Sequence, residues 1–352
     1  MDAYYASPKS SFYDNGLTRR FLEQKLRYLR YEPYPDDGLV TFGASGTALC
    51  DRQLVFKNDR ATRAEKSADL PFRGRQRRQG TAIVDYVQLD LVHAQKRLGR
   101  AAKFTMAERE TPLGPPLACE TVSEWDFEDA AQERRIFEAP HPETGELVKF
   151  AITAKPDGKF VYEPDGSRIL FEYKTKASGL RAMNGKLDFK GAQADHIRQV
   201  TAEALVFGLD EALIVYESTQ KPAWFSDEEN ASVTKGQKTW ADGRPRPDLR
   251  AFYVKITDEM KSSLLADLAR QAALVYEQRG GGEAPAVTVE MTGSCGFCQF
   301  RDHCAYTVTD ANYEQLKRIE GAMAASQMAG KAEHRRLVAF LGGVETKRTE
   351  AV

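Results

Sequence analysis

Apolar and polar positions along the chain alternate between helical and strand periods. TRRFLEQKLRYLRY, Thr18 to Tyr31, sets Leu22, Leu26 and Leu29 at helical spacing before Pro33 and Pro35 end the run. LVTFGASGTALCDRQLVF then predicts a short extended piece, a Gly/Ser turn and a helix bearing Cys50. From Gly80 to Leu98, Ile83, Val87 and Leu91 make an apolar stripe with Asp85 on another face, and Gly99 is the expected stop. Residues 104–176 switch to alternating, β-branched runs, with PETGEL (142–147) and EPDGSR (163–168) as hairpin turns. A helix is expected over Ala192–Phe207, a strand over 211–218, a long loop over 219–250 and a strand over 251–256. Thr257 should cap a helix to about Gln278 with Met260, Leu264, Leu268 and Val275 inward, ended by Gly280, Gly281 and Gly282. The residues after Cys304 have helical composition, and the terminal ETKRTEAV is expected to be disordered.

Composition narrows this α/β picture. The 352 residues, 42% of them hydrophobic, suffice for one large domain or two ordinary ones. No apolar run is long enough to span a bilayer, and MDAYYASPKSS lacks the features of a secretory signal, so a soluble, cytoplasmic protein is expected. A formal net charge of −1 gives no global attraction to nucleic acid; such a partner would need a local patch or metal ions. PFRGRQRRQG offers one patch, Arg73, Arg75, Arg77 and Arg78, which taken alone reads as a solvated face or loop and gains weight only from what lies beside it.

Candidate chemistry concentrates in FAITAKPDGKFVYEPDGSRILFEYKTK. In a strand, Glu172 and Lys174 share one face while Phe171 and Tyr173 take the other. The turn at Pro164, Asp165 and Gly166 pairs that strand with GKFVYE, so Asp157 can converge on Glu172. Two carboxylates at such a corner are hard ligands for Mg²⁺ or Mn²⁺, and a neighbouring lysine can orient a water or stabilise a phosphorane. A lone Glu-x-Lys pair is also an ordinary surface ion pair worth about 0.5 kcal/mol.

The order K-P-D-G, then E-Y-K, then a helix carrying His196, Gln199 and Glu203 resembles the PD-(D/E)XK nucleases, in particular the RecB-like branch. That resemblance implies a restriction-endonuclease-like core, a central mixed β-sheet flanked by helices. It implies that Asp157, Glu172, Lys174 and Gln199 are catalytic, with Asp157, Glu172 and the Tyr173 backbone carbonyl as metal ligands. Two positions depart from the pattern. Glu203 stands where the branch has a Tyr, and Val84, in GTAIVD, stands where it has a metal-ligating His, with Asp85 as a candidate substitute. His196 is a candidate phosphate contact, and Arg73, Arg75, Arg77 and Arg78 a DNA path.

Five cysteines in a chain with no signal peptide suggest metal ligation rather than a disulfide framework. Cys295, Cys298 and Cys304 follow the spacing C-x2-C-x5-C, and Cys50 lies far upstream. Four thiolates suit zinc or an iron-sulfur cluster alike. The chain is similar here to the iron-sulfur subset of RecB-like nucleases, which implies a [4Fe-4S] cluster on Cys50, Cys295, Cys298 and Cys304, closing helical N- and C-terminal segments around the core. Cys119 is expected to be a small buried hydrophobe. The expected organisation is 1–79 with the first cluster cysteine, 80–280 as the nuclease core, and 281–352 as the cysteine segment and helical tail. The expected activity is a Mg²⁺- or Mn²⁺-dependent exonuclease on single-stranded DNA or DNA ends, in recombination, repair or CRISPR-like processing, and a phage origin would suit it. The alternative is a catalytically silent DNA- or partner-binding protein of the same fold.

Overall fold

The structure is a computed structural model that describes residues 2–5, 14–28, 34, 36–59, 71–112, 120–220 and 247–350. Cys119, Leu29, and most of the expected 219–250 loop lie outside the described residues. Helices are α1 (Asp2–Tyr5), α2 (Asn15–Arg27), α3 (Asp51–Asn58), α4 (Pro71–Leu98), α5 (Leu180–Lys190), α6 (Ala194–Phe207), α7 (Asp258–Arg279), α8 (Arg301–Tyr306), α9 (Asp310–Ala324) and α10 (Ala332–Glu350). Strands are β1 (Thr41–Gly43), β2 (Phe104–Met106), β3 (Glu108–Pro112), β4 (Thr121–Trp125), β5 (Glu133–Pro140), β6 (Leu147–Ala154), β7 (Gly158–Tyr162), β8 (Ser167–Lys176), β9 (Glu211–Ser218) and β10 (Leu249–Lys255).

A mixed five-stranded sheet, ordered β10-β9-β8-β7-β2, carries the candidate chemistry. Strands β7 and β8 form an antiparallel hairpin through Asp165 and Gly166, whereas β8 and β9 run parallel. Parallel neighbours need a crossover, and α5 and α6 supply it. Strand β8 is central, so its middle reads as an almost unbroken buried run, Ile169 to Tyr173. On one face Leu170, Ala212, Ile214 and Tyr216 pack with Met183, Leu187, Val200 and Ala204 of α5 and α6. On the other, Phe160, Phe171, Tyr173 and Val215 pack with Val87, Leu89 and Val92 of α4 and with Phe21 of α2.

A second sheet, β1-β6-β5, joins a parallel β1 to the β5–β6 hairpin whose turn is PETGEL. Its core, including Phe42, Phe150 and Ile152, merges with Leu264, Leu268 and Val275 of α7 and with Leu337 and Leu341 of α10. Thr257 accepts from the Met260 amide and caps α7, and Met260 itself is half-buried.

Three expectations are corrected. Helix α2 buries Phe21 and Gln24 and leaves Leu22 and Leu26 exposed. The reason is polar: Gln24 donates to the Trp125 carbonyl (2.7 Å) and accepts from its amide (2.9 Å), completing the β4 backbone as another strand would. Helix α4 begins at Pro71 rather than Gly80, with proline at a first-turn position where its missing N–H costs nothing. The arginine run is therefore helical. At the C-terminus, ETKRTE continues α10 to Glu350, because Leu341 and Val344 are buried and Lys347 pairs with Glu350 (2.7 Å).

Leu268 is fully buried and Leu26 is 63% exposed. Leu268→Ala should therefore cost about 2–5 kcal/mol, and Leu26→Ala no more than about 0.5 kcal/mol. Urea unfolding midpoints of the two variants check this; equal losses would contradict the assigned α2 face.

Candidate active site

The alternation of β8 turns Glu172 and Lys174 toward α6, together with Leu170, and sends Phe171 and Tyr173 to the α4 side. Lys174 Nζ donates to Glu172 Oε1 (2.5 Å) and to Gln199 Oε1 (2.9 Å). Gln199 Nε2 donates in turn to Glu203 Oε1 (3.0 Å), one helical turn on. Asp157 lies one step beyond the Gly158–Phe171 pair, which places it across from Glu172. Its Oδ2 accepts from the Tyr173 amide (2.6 Å), and its carbonyl accepts from Gln88 Nε2 (2.8 Å) of α4. The structure thus brings Asp157, Glu172, Lys174 and Gln199 together.

Acid outweighs base in this enclosure. Glu172 is 3% exposed and Glu203 1%. Burial pushes Glu203 well above the usual carboxylate range, and the nearby Glu172 charge adds to the effect. Asp157 is likewise raised well above its ordinary value, by burial and then by Glu172. Burial also raises Glu172, against the pull of Lys174. Burial disfavours the Lys174 charge, but Glu172 outweighs it and the ammonium titrates above its normal value. Glu172 Oε2 and Glu203 Oε2 are both buried without a hydrogen-bond partner. Orphaned, crowded carboxylate oxygens are a donor set that fits a hard divalent cation. Among the described residues, however, no three His, Cys, Asp or Glu side chains form a ready-made metal cage. Glu172 is turned onto Lys174 and Asp157 onto an amide, so an ion would have to compete for both.

A cavity of about 420 Å³ opens beside the chain of side chains, lined by Gly43, Asp129, Thr153, Lys155, Gln199 and Glu203. Lys155 Nζ bridges Glu128 (2.9 Å) and Asp129 (3.1 Å) at its edge.

The remaining candidates are placed as follows. Asp85 forms an ion pair with Lys25 of α2, and Val84 packs with the α4-side core. His196 Nδ1 meets the Tyr216 hydroxyl (2.8 Å), which also accepts from the Gln193 amide (2.9 Å). Burial, with Lys174 and Lys176 nearby, lowers His196 to about 3 and keeps it neutral. Lys176 donates to Gln193 (2.8 Å), and burial brings it down to about 8. Arg75, Arg77 and Arg78 are exposed on α4, and Arg73 Nη2 donates to the Gly296 carbonyl (2.8 Å).

Cys50, Cys295, Cys298 and Cys304 line one small cavity together with Arg52 and Phe56. All four are free thiols. Burial raises each, Cys295 to about 12 and Cys298 to about 11, with the neighbouring thiols adding to both. Cys304 Sγ accepts from Arg52 Nε (3.2 Å) and Cys298 Sγ from the Phe300 amide (3.4 Å).

Sequence reasoning missed Gln88, Glu128 and Lys155. Gln88 was detectable, lying four residues beyond Val84 on the same helix. Glu128, in a short 3₁₀ turn between β4 and β5, carried no sequence signal.

Neither a family profile nor a curated protein sequence matches the chain. Among solved structures, SSO0001 is similar at 14% identity and TM-score 0.36, covering 84% of this chain and 96% of that one. The alkaline exonuclease LHK-Exo from Laribacter hongkongensis gives 14% identity and TM-score 0.32 over 69% of this chain and 94% of its own. A phage-related exonuclease from Haemophilus somnus 129PT gives 13% and 0.25, over 41% and 62%. These superpositions are loose, and the reading of the site rests on its own geometry.

The raised carboxyls set a pH dependence. Asp157 and Glu203 hold protons in the folded state that they release when unfolded, so stability falls as pH rises from their ordinary range toward their folded values. Glu203→Gln keeps a donor and an acceptor but removes the titration. In thermal melts without divalent ions, this variant should gain stability at pH 8 relative to pH 5 compared with the parent; parallel pH curves would refute the assignment.

Proposed function

We propose that the chain is a Mg²⁺- or Mn²⁺-dependent DNA exonuclease of the PD-(D/E)XK type, acting on single strands or ends. The observation that supports this best is the convergence of Asp157 on Glu172, with Lys174 held on the crossover helix by Gln199. In this reading Asp157, Glu172 and the Tyr173 carbonyl would hold the ion. When bound, it would supply Lewis acidity at the scissile phosphate and a bound water more readily deprotonated than bulk water. Lys174, kept charged by Glu172, orients the attacking water or meets charge developing on the phosphate. Gln199 fixes the ammonium in place, and Glu203 fixes which way the Gln199 amide faces. Exposed Arg75, Arg77 and Arg78 offer sequence-independent phosphate contacts, and the neutral imidazole of His196 lies close to Lys174 and Lys176.

The four thiols match a [4Fe-4S] cluster in donor type and in the N–H groups aimed at two of their sulfurs, though among the described residues no three of them as placed are a ready-made cage and they would have to draw in around it. Ligation would replace buried, reluctantly ionised thiols with cluster-bound thiolates, and would join segments some 250 residues apart, a constraint worth on the order of several kcal/mol.

End-labelled single- and double-stranded DNA should be shortened only when Mg²⁺ or Mn²⁺ is present, and Lys174→Ala should slow this by about 10²–10³-fold. DNA that stays intact but is bound would instead favour a silent binding protein. For the thiol site, anaerobically purified protein should be brown, with about four iron and four sulfide per chain. Stoichiometric zinc without sulfide would reject the cluster.

A further inference from the structure

Glu128 has a backbone that calls for explanation. It is the only non-glycine residue with positive φ among the described residues, at 49°. For a side chain without local αL preference that conformation costs on the order of 1–3 kcal/mol, and it persists only where its surroundings enforce it. Here they do. Phe127, Ala130 and Ala131 are buried on either side, and the Glu128 amide donates to the Pro156 carbonyl (2.9 Å), tying the turn to the residue before Asp157. The strained turn holds a carboxylate beside the Asp157 segment, where its charge bears on both Asp157 and Glu172. Its partner is Lys155 (2.9 Å), two residues before Asp157 and 43% exposed in its side chain. A second observation is independent of Glu128: Glu172 Oε2 and Glu203 Oε2 are buried and unpartnered, and Glu203 lines the same cavity as Lys155, the partner of Glu128.

We infer that Glu128 is a third carboxylate of the divalent-metal centre, supplying from the β4–β5 turn the ligand that α4 lacks at Val84. This rests on the metal-dependent reading above. Lys155 then acts as the internal counter-ion of the metal-free state and yields Glu128 to the cation. Asp85 takes no part, being engaged by Lys25.

Mn²⁺ binding to the purified full-length chain, followed by electron paramagnetic resonance of the free ion and by the metal-induced rise in melting temperature, tests this without reference to cleavage. Glu128→Gln should weaken Mn²⁺ by about tenfold or more, and Asp85→Asn should leave it unchanged. Glu128→Asn guards against a folding artefact, because asparagine tolerates positive φ. It should melt at or above the parent temperature without metal, yet lose the Mn²⁺-induced rise. Parental Mn²⁺ affinity in both Glu128 variants would overturn the assignment while leaving the Asp157–Glu172 site standing. A parent chain that binds no Mn²⁺ would overturn the metal reading itself.

Discussion

The buried Glu172–Lys174 pair is the constraint around which the rest is arranged. A carboxylate in the centre of a covered sheet is costly to desolvate, and a single lysine repays the cost only if it is held in place and its remaining protons are used. Lys174 meets that condition through Gln199, which requires α6 to lie across this face of β8. The crossover that makes β9 parallel to β8 puts it there. The apolar contacts of Leu170, Val200, Ala204 and Ile214 then seal the helix onto the sheet and keep water from screening the pair. Fold and charge are thus mutually dependent: removing the lysine would leave Glu172 buried and alone, and loosening the helix would hydrate both.

Local chemistry made much of this legible in the sequence. Strand alternation set Glu172 and Lys174 on one face, the Asp165–Gly166 turn fixed the hairpin that aligns Asp157, and helical spacing put Gln199 and Glu203 together. What escaped was decided by tertiary partners. Leu22 and Leu26 had the right period for a buried stripe, but the two-sided bond of Gln24 to Trp125 rotates α2 the other way. Asp85 had the right sequence position, yet Lys25, 60 residues away, neutralises it. Glu128 lies in a segment of no periodicity, and its placement follows from a turn that only the packed Phe127, Ala130 and Ala131 can enforce.

The thiol cavity and the arginine helix are linked in the same manner. Arg52 touches Cys304 through Nε and the Cys304 carbonyl through Nη2, and reaches Pro285 and Thr307 as well, so one guanidinium spans α3 and the C-terminal segment. Arg73 bonds the Gly296 carbonyl between two of the cysteines, while Val87 of the same helix packs with Phe171 and Tyr173 of β8. The helix that presents Arg75, Arg77 and Arg78 is therefore anchored at one point by the cysteine segment and at another by the strand that carries Lys174.

Glu203 bears on why the site holds an acid where an aromatic hydroxyl would satisfy Gln199 equally well. A tyrosine hydroxyl would accept the Gln199 amide proton and add no charge. The carboxyl accepts the same proton, leaves Oε2 buried without a hydrogen-bond partner, and answers to the charge of Glu172. Burial, with the Glu172 charge beside it, favours the protonated form of Glu203, and Lys174 offsets this only in part. Added positive charge lowers the cost of ionising it. Glu203 therefore couples the protonation of the α6 network to the charge at the β7–β8 corner, which a tyrosine at this position would not do.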